Sequence, residues 1–154
     1  LQESQLGLAT AGLKIGRNAE AASAAEAILK TEPANEKALR LRFNACLALG
    51  DTPRLIEALV GLAAVEPTIA RDGLLKLAFD AYDANDNAAA KDRFASVLKV
   101  DPKQPQAHYY LGVIAAGEGA TAEARSYLER FLAIAPGDPE ANAASEMLKY
   151  LGKS

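Results

Sequence analysis

The stretch AHYYLGVIAAGEGATAEARSYLERFLAIAP, Ala107 to Pro136, reads as two helices joined at Gly117, Glu118 and Gly119. Gly112, Ala115, Ala120 and Ala124 stand in it where a helix normally buries something larger, which implies that the two helices approach closely. If this hairpin is one copy of a stacked unit, the rest of the chain must carry the same spacing, and it does. Pro33, Pro67, Pro102 and Pro136 each close an apolar helical run, in KTEPAN, AVEPTI, KVDPKQ and AIAPGD, with steps of 34, 35 and 34. Gly16, Gly50, Asn85 and Gly119 keep those steps. They are the residue types that tolerate the left-handed backbone wanted just past the last turn of a helix. Two residues further on, Asn18, Thr52, Asn87 and Thr121 form a third column, of side chains suited to N-capping the next helix. Pro53 fits the first helical position, where its missing N–H is not needed.

Each unit is therefore helix, tight turn, helix, proline. The first helices are expected near 3–15, 36–49, 71–84 and 105–117, and the second near 19–31, 53–65, 88–100 and 122–134. A ninth helix, 139–151, opens after Asp138 as its cap and has no partner, as a final helix that shields the last apolar face of a stacked array would. A single extra residue lies between Pro67 and Asn85, so PTIARDG is expected to be looped or shifted.

These columns resemble the tetratricopeptide repeat family, whose signature runs from a large residue through a Leu-Gly pair to an Ala, an aromatic and a Pro. In the last full unit His108, Leu111, Gly112, Ala124, Leu128 and Pro136 occupy those slots. The unit before it matches through Leu74, Leu77, Ala78, Ala90, Phe94 and Pro102, and the first less fully through Leu8, Ala9, Ala21, Ala25 and Pro33. The resemblance implies an all-α, right-handed α-solenoid of four tetratricopeptide-like repeats, 2–35, 36–70, 71–104 and 105–138, plus the capping helix, in one domain spanning 1–154. Phe43 and Leu55 depart from the pattern, because they stand at the crossing that the other units fill with Ala9 and Ala21, Ala78 and Ala90, or Gly112 and Ala124. The second hairpin is accordingly expected to be splayed or shifted, with the extra residue after Pro67 absorbing the change, and to be the weak joint. The aromatic usual later in the first helix is replaced throughout, by Gly12, Cys46, Ala81 and Ala115.

Composition narrows the function classes. The 154 residues are 50% hydrophobic and 24% charged, with 17 basic and 20 acidic side chains and a net charge of −3. No basic run or face marks a nucleic-acid partner. No apolar run reaches the length of a transmembrane segment, about 18 residues or more. The chain lacks an initiator Met, and Leu1 reads as the start of an excised or processed fragment. Cys46 is the only cysteine, so no internal disulfide can form.

Little in the sequence carries chemistry. His108 is the only histidine, which leaves no multi-histidine metal site, and its place in the large slot of the repeat points to packing. Cys46 falls in a column of small residues and reads as buried filler. DAYDANDN sets Asp83, Asn85 and Asn87 in the spacing of a calcium loop, but Ala88 stands where such a loop needs Gly and Phe94 where it needs the bidentate Glu. No cofactor, metal or catalytic residue is assigned, and the chain is expected to be no enzyme.

Binding remains. In the family, the first helices of successive hairpins line a concave groove that holds a peptide or a partner helix. The residues here at i, i+4 and i+7 are Leu6, Thr10 and Leu13; Arg40, Asn44 and Leu47; Leu75, Phe79 and Tyr82; Tyr109, Val113 and Ala116; and Ala143, Met147 and Tyr150. The lining grows aromatic toward the C-terminal half, and two readings of Phe79, Tyr82 and Tyr109 stand: an exposed platform for a protein or peptide, or core between repeats. Arg40 and Asn44, with Lys76 as neighbour, match the first part of the clamp by which some members hold a peptide's C-terminal carboxylate. Gln106 and Tyr110 then replace the further basic residues that such a clamp needs. The alternative to an adaptor is a structural spacer or self-association module of a larger protein, in which the partner is another copy.

Overall fold

Four residues turn the chain back on itself: Gly16, Gly50 and Gly119 at φ of 82°, 69° and 78°, and Asn85 at 59°. They are the column read as helix-ending residues, and their left-handed backbone lets the next amide reach back over the helix end. The N–H of Arg17 donates to the carbonyl of Gly12 at 2.8 Å, that of Asp86 to Ala81 at 2.9 Å and that of Ala120 to Ala115 at 2.9 Å. This is the bond of a Schellman cap, which satisfies a carbonyl that the helix itself leaves open.

The computed structural model describes residues 2–152. Among them helix is the only regular element: α1 Gln2–Lys14, α2 Asn18–Thr31, α3 Glu36–Leu49, α4 Thr52–Leu62, α5 Pro67–Asp83, α6 Asn87–Val100, α7 Pro105–Gly117, α8 Thr121–Ile134 and α9 Ala141–Leu151. The all-α helical repeat expected from the columns is thus present. No described helix is long and apolar enough to cross a membrane. Leu1, read above as the start of a fragment, lies outside the described residues.

Three local expectations are corrected. The column Asn18, Thr52, Asn87 and Thr121 opens the second helices but does not cap them. The caps stand one residue earlier, where Asp51 accepts from the N–H of Arg54 and Asp86 from that of Ala89, while Arg17 and Ala120 make no side-chain cap. The Asp side chain, at the non-helical position before the first turn, reaches the orphan amides that the following residue, already helical, cannot. PTIARDG is not looped, since Pro67 opens α5. A proline at the first helical position needs no N–H, so the extra residue is taken up in a helix of 17 residues against 13 in α7. Asp138 does not cap α9, which begins at Ala141; its carboxylate instead accepts from the N–H of Glu140 at 2.9 Å in the preceding turn.

The chain divides into two compact units, Leu1–Gly73 and Leu74–Ser154, with the boundary inside α5. In the first unit, α2 lies on α3 through fully buried alanines, Ala21, Ala22, Ala25, Ala38 and Ala45. An ion network ties the same layer together: Glu26 takes Arg54 at 3.0 Å and Arg42 at 3.6 Å, and Arg42 also meets Glu57 at 2.9 Å. At the second hairpin α3 packs on α4 as extensively as α1 on α2, where Ala9 and Ala21 stand at the crossing, but less extensively than α7 on α8, where Gly112 and Ala124 do. The tight approach has moved to the next junction. A Cβ built at Gly73 would lie 2.9 Å from Leu59 of α4.

In the second unit, α7 packs extensively on α8, more than α6 on α7 or α8 on α9. A Cβ at Gly112 would lie 2.7 Å from Cγ of Leu128 and 3.4 Å from the carbonyl of Ala124, which accounts for the small residues of the opening stretch. Tyr109, Ala115, Ala124, Leu128 and Phe131 form one core with Ala144 and Leu151 of α9, so the ninth helix covers the last apolar face as expected.

Candidate partner-binding site

The first helices of the two units carry linings of different chemistry. In the first unit a cavity of about 700 Å³ opens over α1 and α3, lined by Leu6, Thr10, Leu13 and Lys14 from one helix and Lys37, Arg40, Leu41 and Asn44 from the other. Spacing of four along each helix puts these side chains on one face. Asn44 is exposed on this lining. Arg40 is exposed as well, but its guanidinium lies 3.2 Å from Glu36, one turn away, and 3.2 Å from Glu66. Hydrogen bonds to Glu36 and then Glu66 hold its pKa above the usual arginine value. A carboxylate clamp needs a guanidinium free to turn to the ligand; this one already has two acidic partners of its own.

The second unit gathers its aromatics. Phe94, fully buried on α6, meets Phe79 of α5 edge-on at 5.3 Å and stacks on Tyr110 of α7 at 5.5 Å with rings 8° from parallel. Tyr110 in turn meets Phe79, Tyr82 and Tyr109 edge-on, at 5.1, 4.9 and 5.2 Å, and Tyr109 lies 5.1 Å from Phe131 of α8. Edge-to-face and offset stacking are the favoured aromatic geometries, so the rings fix one another's orientation. The cluster runs from a buried floor, Phe94, Phe131 and Tyr109, to half-buried rings, Phe79, Tyr82 and Tyr110.

The rings of the first helices differ in burial. Tyr109 is core, with 9% of its surface exposed, while Phe79 and Tyr82 are half-buried. Val113 packs half-buried against the core of α7 and α8. Leu75 is half-buried, and Lys76 is exposed with its ammonium 2.7 Å from Asp80 on the next turn. Arg40 and Asn44 belong to the first unit and take no part in the aromatic cluster. Tyr110, at the cluster's centre, was not among the groove residues that the helical spacing picked out. It stood as a mismatch to a basic slot, although its place beside Tyr109 and one turn ahead of Ile114 marks it as another ring on α7.

Beside the cluster is a smaller cavity of about 260 Å³, lined by Phe79, Gln106, Tyr109, Tyr110 and Phe131 and closed by Asp138, Pro139 and Glu140 of the turn before α9. Burial, then the charge and hydrogen-bond acceptance of Glu140, push the Tyr109 phenol up to about 12. Tyr110 is raised in the same direction by burial first and then by the charges of Glu140, Tyr82 and Asp83. Each of these influences disfavours a phenolate, so both hydroxyls stay protonated and can donate.

The residues weighed for chemistry are placed elsewhere. His108 is buried with its Nε2 2.8 Å from the carbonyl of Pro102 and its ring beside Tyr127, a packing position. Cys46 is fully buried, and burial pushes its thiol up, away from the reactive thiolate. Asn85 and Asn87 serve as the hinge and the first residue of α6. No group of acidic, His or Cys side chains among the described residues is arranged to hold a metal ion.

Residues 75–139 match the family model of the tetratricopeptide repeat. Among solved structures, the crystal structure of MamA protein is similar at 18% identity over 99% of this chain and 86% of that one, with a TM-score of 0.45. No curated protein matches the chain.

Proposed function

We propose that this chain, whose residues 75–139 match the tetratricopeptide repeat, a module that generally mediates protein–protein interaction, is a non-catalytic adaptor that holds a peptide or partner helix against the first helices of its second unit. The observation that carries this reading is the run of aromatics from buried Phe94 out to half-buried Phe79, Tyr82 and Tyr110 beside an open cavity. Rings anchored from below lose little freedom when a ligand covers them, and tyrosine offers area together with a hydroxyl, which is the make-up of an interface hot spot. Leu75 and Val113 extend the same face with aliphatic surface, and Lys76 with Asp80 forms a charged edge. Arg40 and Asn44 are assigned to the first unit's own cavity and contribute no anchor of this kind.

The test is capture of a partner from lysate of the source organism by the parent chain and by Tyr82→Ala and Tyr110→Ala variants, each checked by circular dichroism and melting. Tyr109 is the wrong choice for such a variant, because truncating a ring 9% exposed removes core and confuses unfolding with lost binding. A partner held by the parent and released by both folded variants supports the groove. A partner held equally by all three speaks against it.

A further inference from the structure

The cavity beside the aromatic cluster has a charge as well as a shape. Asp138 and Glu140 close it from the turn before α9, and Asp83 ends α5 directly after Tyr82, whose ring lies 4.9 Å from that of Tyr110. These three carboxylates form no ion pair with any described residue, whereas the neighbouring Asp80 is neutralised by Lys76 and Glu118 by Lys91. No lysine or arginine lines the cavity. Its lining carries the rings of Phe79, Tyr109, Tyr110 and Phe131, and Asp138 and Glu140 stand among them with Asp83 on the neighbouring helix end.

We propose that this groove takes a basic segment, a partner peptide or helix whose arginine or lysine side chain enters over the ring of Tyr110 and meets Asp138 and Glu140, with Asp83 at the end of α5 adding to the negative charge. The inference rests on the groove reading above and adds the chemistry of the partner. A cation over an aromatic face is attracted by the ring quadrupole, and the attraction grows where water is partly excluded. Arginine fits best, because its planar guanidinium stacks on a ring while its fork of N–H donors reaches a carboxylate. The aliphatic stem of that side chain would lie along Phe79, and the Tyr110 hydroxyl offers a donor to the segment's backbone carbonyls. An acidic segment would bring like charge against three unpaired carboxylates, so the same groove discriminates against it.

The experiment uses fluorescein-labelled peptides of equal length alternating leucine with arginine, with lysine or with glutamate, titrated with the whole chain and read by anisotropy at low and physiological salt. The arginine peptide is expected to bind at least about tenfold more tightly than the glutamate peptide, with lysine between them. Asp138→Asn/Glu140→Gln should weaken the arginine peptide by about tenfold, while Glu20→Gln/Glu57→Gln, the same charge change in the first unit, should leave it within about twofold. Equal weakening by the two double variants would reduce the preference to net charge and overturn the proposal. So would equal affinity for arginine and glutamate peptides, or binding of neither. Equal affinity that is still lost with Tyr110→Ala would leave the groove itself standing and remove only its preference for a basic partner.

Discussion

The two units are built from one repeat and lined by two chemistries. At the layer where a hairpin meets its neighbour, the first unit sets Arg42 between Glu26 and Glu57, while the corresponding residue of the last hairpin is Leu111, buried in an apolar core. On its first helices the first unit presents Arg40 already engaged by Glu36 and Glu66, and the second presents Phe79 and Tyr110 braced on Phe94, with Tyr82 against Tyr110. The backbone does the same thing in both, since each hinge is a left-handed Gly or Asn. The chemistry of each lining is thus set by a few side chains at helical spacing, and stability by which residues meet at each crossing.

The largest blow to the second unit should come from its shared floor. Phe94→Ala removes a ring with no exposed surface and should cost about 3–5 kcal/mol by denaturant unfolding. If α7 and α8 are as closely fitted as Gly112 implies, Gly112→Val should also destabilise the second unit, by about 1–3 kcal/mol, because Leu128 is fully buried and cannot swing clear. A Gly112→Val variant as stable as the parent would show that this crossing is loose and that the contrast with the first unit is overdrawn.

Alkaline titration separates the units next. Tyr109 has its pKa raised to about 12, so the folded state holds the phenolic proton more tightly than the unfolded chain, whose tyrosine titrates near 10. The resulting stability is complete below pH 10 and is lost as pH rises from 10 toward 12, up to about 2 kcal/mol. Melting followed between pH 8 and 11.5 should show this loss in the parent and a smaller one in Tyr109→Phe. Identical pH profiles would remove Tyr109 from the explanation.

The smallest effects test the turns that both units share. Asp51→Ala and Asp86→Ala should each cost about 1 kcal/mol, one per unit, whereas Thr52→Ala and Asn87→Ala should cost only a few tenths. The reverse order would restore the capping role to the column that the structure moves out of it.

The sequence showed the repeat because its columns are backbone necessities: a left-handed residue at each hinge, a small residue at each tight crossing and a proline where a helix stops. The same logic misled where one residue type serves two ends. Proline terminates most of these hairpins, yet Pro67 starts a helix, and nothing local to AVEPTI distinguishes the two uses. Thr and Asn are good caps, yet here an Asp one position earlier does that work twice. Of the groove, Phe79, Tyr82 and Tyr109 could be placed on one face by spacing alone. Their division into surface and core could not, because it depends on Phe94, Phe131 and Glu140 arriving from other helices. Tyr110 was hidden for the same reason, since its importance lies in the four rings around it.

The account turns on the claim that binding belongs to the aromatic lining of the second unit, and hydrogen exchange with and without a captured partner tests it most directly. Slower exchange on binding is predicted in the first helices of that unit, over 75–83 and 106–116, with 37–47 of α3 unchanged. Protection of 37–47, around Arg40 and Asn44, with 75–83 and 106–116 unchanged, would contradict it and move the site to the first unit.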